Sequence, residues 1–293
     1  MTTVEKYSYR VILSGLLMFF FMSPATVLAQ DEAAPDSTDW QKSIVANLAG
    51  SQASYDNWAE GGINSLAFTA SLNGDFSRDY ESWKQKHEMR FALGSLKQDS
   101  LDFRKADDLI QFVSNFLYQN EDTFAKWHPT ASLELRTQFA NGFDYSGDEP
   151  VKVSAFFAPA TFAQTLGFTY QPQDWFTWLI GFGAKETIVG LEELRPLYGN
   201  DLDQTVRFET GLSTKGTYDR DIFENVHLKS SLGIFAAFDQ FGDPDVRWEN
   251  LVTMSVNSWL TVNFEFVTFY DLDISDQLQL KQVLSTGISV GLL

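Results

Sequence analysis

Residues 51–75 read SQASYDNWAEGGINSLAFTASLNGD, and this stretch decides the fold class. After a polar loop that contains two glycines, apolar side chains occupy every second position, at Leu66, Phe68, Ala70 and Leu72. The positions between them are mainly polar. A period of two places successive side chains on opposite faces of a β-strand. The stretch therefore predicts a strand with one apolar and one polar face.

The same plan repeats along the chain from Trp40 onward. We predict twelve strands, near residues 41–50, 62–77, 83–96, 108–119, 124–140, 160–171, 174–187, 204–217, 224–238, 247–257, 259–271 and 278–292. Their spacing suits strands that cross a bilayer at a tilt, which takes roughly 9–11 residues within the hydrocarbon. No helical period of any length interrupts them. The predicted fold class is all-β.

The alternation alone does not say which face of a barrel points inward. A soluble ligand-binding barrel holds its apolar face inside, whereas a membrane barrel turns that face to lipid. The predicted links alternate between short and long, as short periplasmic turns and longer external loops do. Tyr and Trp residues crowd the short turns, and these side chains favour the membrane–water boundary. We therefore predict a transmembrane antiparallel up-and-down β-barrel of about 12 strands.

The N-terminus has the pattern of an export signal. Basic residues precede an apolar run from Val11 to Met22, and Val27-Leu28-Ala29 fits a small-residue cleavage site. We expect three segments: a signal peptide over 1–29, a mobile lead-in over 30–39 and a single β-barrel domain over 40–293. Together with the barrel pattern, this predicts a location in the cell outer membrane, reached through a cleaved signal peptide.

The composition argues against several classes of function. The chain has 39 acidic and 21 basic residues and a net charge of −18, which argues against nucleic acid as a partner. It has no Cys, which rules out disulfides, thiolate metal sites and Cys nucleophiles. We expect no cofactor and no metal site. The acidic surplus is expected in solvated external loops, with divalent-cation bridging to lipid as the alternative.

The polar face of the predicted strands is the candidate functional site. It carries more basic than acidic side chains although the whole chain is acidic. An isolated charge in a dry lumen is costly, so these groups either pair with one another or face water. The predicted lumen-lining charge network comprises Lys84, Lys86, Glu88, Arg90, Lys126, Glu134, Arg136, Arg207, Glu209, Lys229 and Glu265. A water-filled lumen would favour small polar or anionic solutes, and a paired one would be a ladder of salt bridges that plugs a narrow barrel.

A short motif between the first two predicted strands resembles the Asn-Trp-x-x-Gly-Gly-x-Asn-Ser signature of the bacterial family called domain of unknown function 3078. The motif residues are Asn57, Trp58, Gly61, Gly62, Asn64 and Ser65. The resemblance extends from about Trp40 to the C-terminus and implies a secreted, outer-membrane β-barrel of a Gram-negative bacterium. The family has no established activity, so it implies no catalytic residues. The motif has two open interpretations, a tight turn enabled by its glycines and a binding loop.

The sequence leaves three classes of function open. The first is an outer-membrane barrel that is either a porin-like narrow channel or a structural barrel that displays loops. The second is an outer-membrane enzyme that acts on lipid or polysaccharide, since His128, Ser132 and Glu134 share one face; no Gly-x-Ser-x-Gly motif surrounds the serine. The third is a soluble barrel with an apolar ligand. We expect the first, with outer-membrane lipid as its surroundings and without enzymatic activity.

Overall fold

The computed structural model describes residues 40–54, 63–80, 82–119 and 126–293, and most of these residues lie in β-strands. The strands are β1 (Gln41–Ala53), β2 (Ser65–Tyr80), β3 (Trp83–Gln98), β4 (Arg104–Tyr118), β5 (Trp127–Thr137), β6 (Gly142–Asp144), β7 (Val151–Ser154), β8 (Ala160–Gln173), β9 (Phe176–Ile188), β10 (Val206–Phe223), β11 (Val226–Ala237), β12 (Asp245–Ser255), β13 (Leu260–Asp271) and β14 (Ser275–Gly291). A 3-10 helix, η1, spans Glu192–Tyr198. Among the described residues there is no helix with the length and apolar character needed to cross a bilayer.

Twelve of these strands form a closed antiparallel barrel in the order β1-β14-β13-β12-β11-β10-β9-β8-β5-β4-β3-β2. Within the described residues, β6 and β7 pair only with each other and form a small hairpin between β5 and β8. The prediction of a twelve-stranded antiparallel β-barrel is confirmed. The hairpin and η1 were not predicted, because β6 and β7 are too short to show an alternation and η1 is too short to show a helical period.

The outer wall of the barrel is apolar. Near the middle of their strands, Leu166 is 67% exposed, Phe182 is 70% exposed and Leu284 is 71% exposed. A soluble protein buries such side chains, whereas a membrane barrel turns an apolar band outward to lipid. The charged residues of the same strands meet inside the barrel, as described below. The apolar face therefore points to the bilayer, which excludes a soluble barrel with an apolar interior.

The links between strands differ at the two ends of the barrel. At one end, which we call the short-turn rim, the strands are separated by 81–82, 119–126, 174–175, 224–225 and 256–259. At the other end, the long-loop rim, they are separated by 54–64, 99–103, 138–159, 189–205, 238–244 and 272–274. The predicted alternation holds for 54–64, 138–159 and 189–205, which are longer than every short-turn link, but not for the other three long-loop links, each of which is shorter than 119–126. Two long-loop links, 99–103 and 272–274, are shorter than predicted because β4 and β14 begin earlier than the alternation indicated.

Aromatic pairs line the short-turn rim. The ring centroids of Trp83 and Tyr118 are 5.1 Å apart, and Trp175 and Tyr218 form a similar pair at 5.3 Å. The first pair joins β3 to β4, and the second joins the β8–β9 turn to β10. Such contacts contribute about 0.5–1.5 kcal/mol beyond the area that they bury. Tyr and Trp concentrate where hydrocarbon meets water. The short-turn rim therefore has the composition of a membrane boundary, as the sequence indicated.

Two long-loop links fold into an ordered structure that we call the cap, made of 138–159 and 189–205. Its apolar centre is a buried cluster of Ala155, Ala158, Val189 and Leu194. The hydroxyl of Tyr198 donates a hydrogen bond of 2.7 Å to the carbonyl oxygen of Val153. Burial raises the pKa of Tyr198 to about 12, so this donor keeps its proton to a higher pH than an ordinary tyrosine does.

A lysine at the start of β4 attaches the cap to the barrel. The Nζ atom of Lys105 donates to Gln138 Oε1 at 2.7 Å, to Ser154 Oγ at 3.0 Å and to the carbonyl oxygen of Ala140 at 3.2 Å. It also lies 3.2 Å from Asp108 Oδ2, and Asp108 accepts the backbone N–H of Ala140 at 2.8 Å. The interactions of one ammonium group thus hold both ends of the β6–β7 hairpin against the wall.

Candidate functional site in the barrel lumen

Charged side chains meet across the interior of the barrel. Lys229 of β11 donates a hydrogen bond of 2.8 Å to Glu88 Oε2 of β3. Five strands separate β3 from β11 in either direction around the barrel, so the two residues stand on opposite walls. Lys86 lies 2.8 Å from the other oxygen of the same carboxylate. Side chains therefore span the lumen at this level.

A second cluster is centred on Glu249 of β12. Arg136 Nη2, which comes from β5, lies 2.8 Å from Glu249 Oε1, and Arg247 Nη1 lies 3.7 Å from the same oxygen. Arg90 Nη1 of β3 lies 4.0 Å from Glu249 Oε2, and Arg90 Nη2 lies 3.9 Å from Glu265 Oε1. Three guanidinium groups from three strands converge on one carboxylate, so this cluster also crosses the lumen.

Glu134 connects β5 to β10 by a third contact. Lys215 Nζ donates to Glu134 Oε2 at 2.7 Å, and Gln111 Nε2 donates to Glu134 Oε1 at 2.8 Å. Both carboxylate oxygens therefore have partners from other strands. The enzyme hypothesis grouped Glu134 with His128 and Ser132, but in the structure its two oxygens accept hydrogen bonds from Lys215 and Gln111.

At the long-loop rim, further ion pairs close the interior. Lys185 Nζ lies 3.0 Å from Glu209 Oε2, and Arg207 Nη2 lies 3.3 Å from the same oxygen. Lys185 also contacts Asp245, and Arg207 also contacts Asp273. Glu209 and Arg207, which the sequence assigned to the lumen, therefore belong to a cluster of five charges.

The position of several aspartates corrects an expectation from the sequence. Asp107, Asp245 and Asp273 were expected in solvated external loops, but they pair with interior cations; Lys281 Nζ lies 2.8 Å from Asp107 Oδ1 and 2.9 Å from Glu265 Oε2. The reason is that β4, β12 and β14 begin a few residues earlier in the sequence than the alternation indicated, which places these aspartates at the mouth of the barrel. The interior is consequently not dominated by cations, because these carboxylates offset the basic majority of the polar face.

At the short-turn rim, a histidine lies between two carboxylates. His227 Nε2 is 2.8 Å from Asp219 Oδ1, and His227 Nδ1 is 2.8 Å from Asp221 Oδ1. Asp219 Oδ2 is also 3.7 Å from Lys229 Nζ, which connects this pair to the Glu88 contact. None of these three residues belongs to the predicted network, although Asp219 is the ladder partner of Lys229, which does.

Two predicted members of the network take part in none of the ion pairs described above. Lys126 is exposed in a turn with φ of +77°, so its placement in the lumen is wrong; β5 begins only at the next residue. Lys84 is half-buried on β3 near the short-turn rim, where its ladder partner is Asp79 of β2. The remaining predicted residues take part in the ion pairs described above.

The family motif lies mostly beyond the described part of the chain. Asn57, Trp58, Gly61 and Gly62 are outside the described residues. The carbonyl oxygen of Asn64 accepts a hydrogen bond of 2.7 Å from the backbone N–H of Asp99, and Ser65 begins β2. In the described residues, no group of three or more His, Cys, Asp or Glu side chains has the arrangement of a metal site.

Comparison with known proteins supports the predicted resemblance over part of the predicted range. The profile of the family described as "Protein of unknown function (DUF3078)" matches residues 51–143. The chain resembles this family. No curated protein matches it in sequence. The matched segment runs from the end of β1 through β5 into the first strand of the cap hairpin, and it contains the motif together with Lys86, Glu88, Arg90, Glu134 and Arg136.

Solved structures of similar fold are outer-membrane barrels. The translocator domain of the autotransporter NalP from Neisseria meningitidis is 8% identical, with a TM-score of 0.33; the match covers 98% of this chain and 97% of that one. An outer-membrane channel from Pseudomonas putida F1 is 9% identical, with a TM-score of 0.39, and the match covers 89% of this chain and 98% of that one. At these levels of similarity the neighbours carry no argument about function. The barrel assignment follows from the strand pairing and the outward apolar wall of this chain.

Proposed function

We propose that the protein is a narrow, hydrated outer-membrane channel for small polar solutes, in which the ion pairs across the lumen form the constriction. The observation that carries the proposal is that these pairs meet across the lumen yet stay partly accessible. The side chains of Lys86, Lys215 and Lys281 are 38%, 30% and 37% exposed. Since these side chains point inward, that exposure is to space inside the barrel rather than to lipid.

Unpaired polar atoms in the lumen support the same proposal. Arg136 Nη1 and Arg207 Nε are buried and have no hydrogen-bond partner within the described protein. Buried polar groups of this kind are normally satisfied by protein or by ordered water. A lumen that holds water beside the ion pairs supplies such partners, whereas a dry plug does not.

The charge balance of the constriction argues for weak charge selection. Arg90, Arg136 and Arg247 surround Glu249, while Asp107 and Glu265 surround Lys281. A permeating ion therefore meets fixed charges of both signs within a short distance, and their fields partly cancel. The proposed solutes are small polar molecules and ions of either sign, rather than anions alone.

The test is the reversal potential of the reconstituted protein in a planar bilayer under a salt gradient. The Glu249→Gln variant leaves three guanidinium groups with one carboxylate fewer and should shift the current toward anions. The Arg136→Gln variant removes one of those cations and should shift it toward cations. Lys152→Gln is the control, since Lys152 and Glu193 form an exposed pair in the cap, with side chains 36% and 59% exposed. If the protein conducts and both lumen variants have the reversal potential of the wild type, the proposal is contradicted.

A second candidate, a structural barrel that displays loops, rests on the ordered cap. Its apolar cluster and the contacts of Lys105 hold the two cap loops in one arrangement, as a surface presented to a partner requires. This candidate predicts no conductance in the wild type or in either lumen variant. The bilayer recordings therefore distinguish the two functions.

A further inference from the structure

The seam that closes the barrel, between β1 and β14, is shorter than the pairing of β1 with β2. On one side, β1 pairs with β2 along its whole length, from Gln41 to Ala53. On the other side, its ladder with β14 runs only from Val45↔Gly291 to Gly50↔Thr286. Both strands continue toward the long-loop rim beyond this point. In the described residues, β1 and β14 therefore stop pairing at Gly50 and Thr286, on the side of the long-loop rim.

Where the β1–β14 pairing stops, each of the two strands leaves a backbone edge in the barrel wall. Ser51–Ala53 of β1 and Ser275–Ser285 of β14 pair with no described strand on this side. Backbone N–H and C=O groups that face hydrocarbon without a partner are costly, so natural membrane barrels do not leave an open edge in lipid. A polar partner is needed for the part of this edge that lies in the bilayer.

A groove opens on the outer wall where the strands part. Its volume is about 520 Å³, within the roughly 300–1,000 Å³ of small-molecule sites. Gly50 and Thr286, the last pair of the β1–β14 ladder, are among its lining residues. Its apolar lining consists of Leu48, Leu66, Phe68, Leu260 and Ile288. Leu48 is 56% exposed and Phe68 is 42% exposed, which makes the groove continuous with the lipid-facing wall.

We propose that this groove binds the acyl chain of a bilayer phospholipid, whose polar ester groups reach the unpaired edges of β1 and β14. The apolar lining suits a hydrocarbon chain, and the unpaired N–H groups of the adjacent edges can donate to the ester oxygens, which are hydrogen-bond acceptors. The bilayer is the source because the groove belongs to the surface already in contact with it. The site lies outside the lumen, so the inference is independent of channel activity.

The chain provides a matched surface for comparison. On β8 and β9, Leu166, Phe168 and Phe182 are 67%, 53% and 70% exposed and also face lipid. Their strands pair from Ala160↔Ile188 to Tyr170↔Trp178 without a break. This paired wall therefore presents equally apolar side chains without an open edge. Ordinary contact with lipid labels both surfaces, and a binding site labels the seam preferentially.

The test is photo-crosslinking of the purified, folded chain in vesicles that contain a phospholipid with a diazirine in its acyl chain. Mass spectrometry then maps the labelled peptides. We expect labelling of the β1–β14 seam to exceed that of the β8–β9 wall several-fold, and to fall when unlabelled phospholipid is added in excess. Equal labelling of the two surfaces would overturn the proposal.

Two variants connect the labelling to the groove. Gly50→Phe adds a large side chain to the lining of the groove, where a Cβ would lie 3.3 Å from the carbonyl oxygen of Ala67, and should reduce seam labelling to the level of the β8–β9 wall. Gly216→Phe is the control, because a Cβ at Gly216 has nothing within 4 Å and its ladder partners Trp178 and Leu232 face lipid. Seam labelling that survives Gly50→Phe contradicts the proposal.

A reversible disulfide between β1 and β14 tests the proposal independently. The chain has no Cys, and Ser51 and Ser285 are the next residues of the β1–β14 register. In the Ser51→Cys, Ser285→Cys variant, oxidation should form a disulfide that joins the two strands and should abolish preferential labelling of the seam. Reduction should restore that labelling. Labelling that is the same in the oxidised and reduced forms of the crosslinked protein argues against the site. Gel mobility of the unheated barrel confirms in each case that the protein is folded.

Discussion

Replacing Lys229 with Met tests whether opposite walls of the barrel are joined through the lumen. The substitution keeps an unbranched side chain of similar length and removes the charge that contacts Glu88 at 2.8 Å. Glu88 then retains one cation, Lys86, also at 2.8 Å. The side chains of Lys229 and Glu88 are 29% and 18% exposed, so water screens the contact only in part.

The expected cost follows from that geometry. Two unit charges 4 Å apart interact by about 4 kcal/mol at an effective dielectric constant of about 20. A buried charge that loses its sole partner costs roughly 3–5 kcal/mol, and Glu88 keeps Lys86, so we expect Lys229→Met to lower the free energy of unfolding by roughly 2–3 kcal/mol. Adding Glu88→Gln should recover part of this loss, since it removes the stranded carboxylate.

The assay is equilibrium unfolding in urea with the barrel in phospholipid vesicles, followed by the fluorescence of its 8 tryptophans. The double-mutant cycle of Lys229 and Glu88 should give a coupling energy above about 1 kcal/mol, as residues in direct contact do. The exposed pair of Lys152 and Glu193, at 3.6 Å, is the control and should couple by less than about 0.5 kcal/mol. A lumen pair that couples no more strongly than this control would refute the contact across the barrel.

Three further measurements test other parts of the structure. Phe182→Arg, in the middle of β9, should cost roughly 2–4 kcal/mol of unfolding free energy, and Phe223→Arg at the short-turn rim about 0–1 kcal/mol; equal costs would contradict the lipid-facing band. Because burial raises the pKa of Tyr198 from 10.0 to about 12, the unfolded chain loses that proton first, so the contribution of Tyr198 to cap stability is intact below pH 10.0 and falls between there and about pH 12. The tyrosinate absorbance of the wild type minus that of Tyr198→Phe should titrate near the upper value, and titration near the ordinary value would show an open cap. Lys105→Met leaves Gln138 Oε1 and other acceptors without their shared donor and should speed limited proteolysis within 138–159 without changing the barrel core; unchanged cleavage would mean that other contacts hold the cap.

The strands were readable from the sequence because each barrel strand carries its own local signal. Leu66, Phe68, Ala70 and Leu72 alternate with polar residues, and that alternation is enough to assign both the strand and its two faces. All twelve barrel strands were predicted, with boundaries that differ by a few residues. The outward direction of the apolar face also followed from sequence, through the alternating link lengths and the aromatic residues at the short turns.

The partners of the lumen charges were not readable in the same way. The sequence placed Glu88 and Lys229 on the polar face, but 141 residues separate them, and no local pattern encodes a contact between opposite walls. The exact residues at which the strands begin and end were also not readable from the sequence. Asp107, Asp245 and Asp273 looked like loop acids and instead neutralise interior cations, because a shift of a few residues in a strand boundary moves a side chain from the solvent to the barrel mouth.

The sequence by itself determined the class of the protein: a membrane barrel with a polar interior, since period-two alternation and turn spacing are local properties. Only the tertiary structure decided the state of that interior and of the closing seam. Closure of the barrel sets which strands face each other, and this brings Arg90 of β3 and Arg136 of β5 to Glu249 of β12. Closure also sets how far β1 and β14 pair, which ends at Gly50 and Thr286 although both strands continue. Both outcomes depend on distances between residues far apart in the chain, and these are fixed by the curvature and register of the whole sheet.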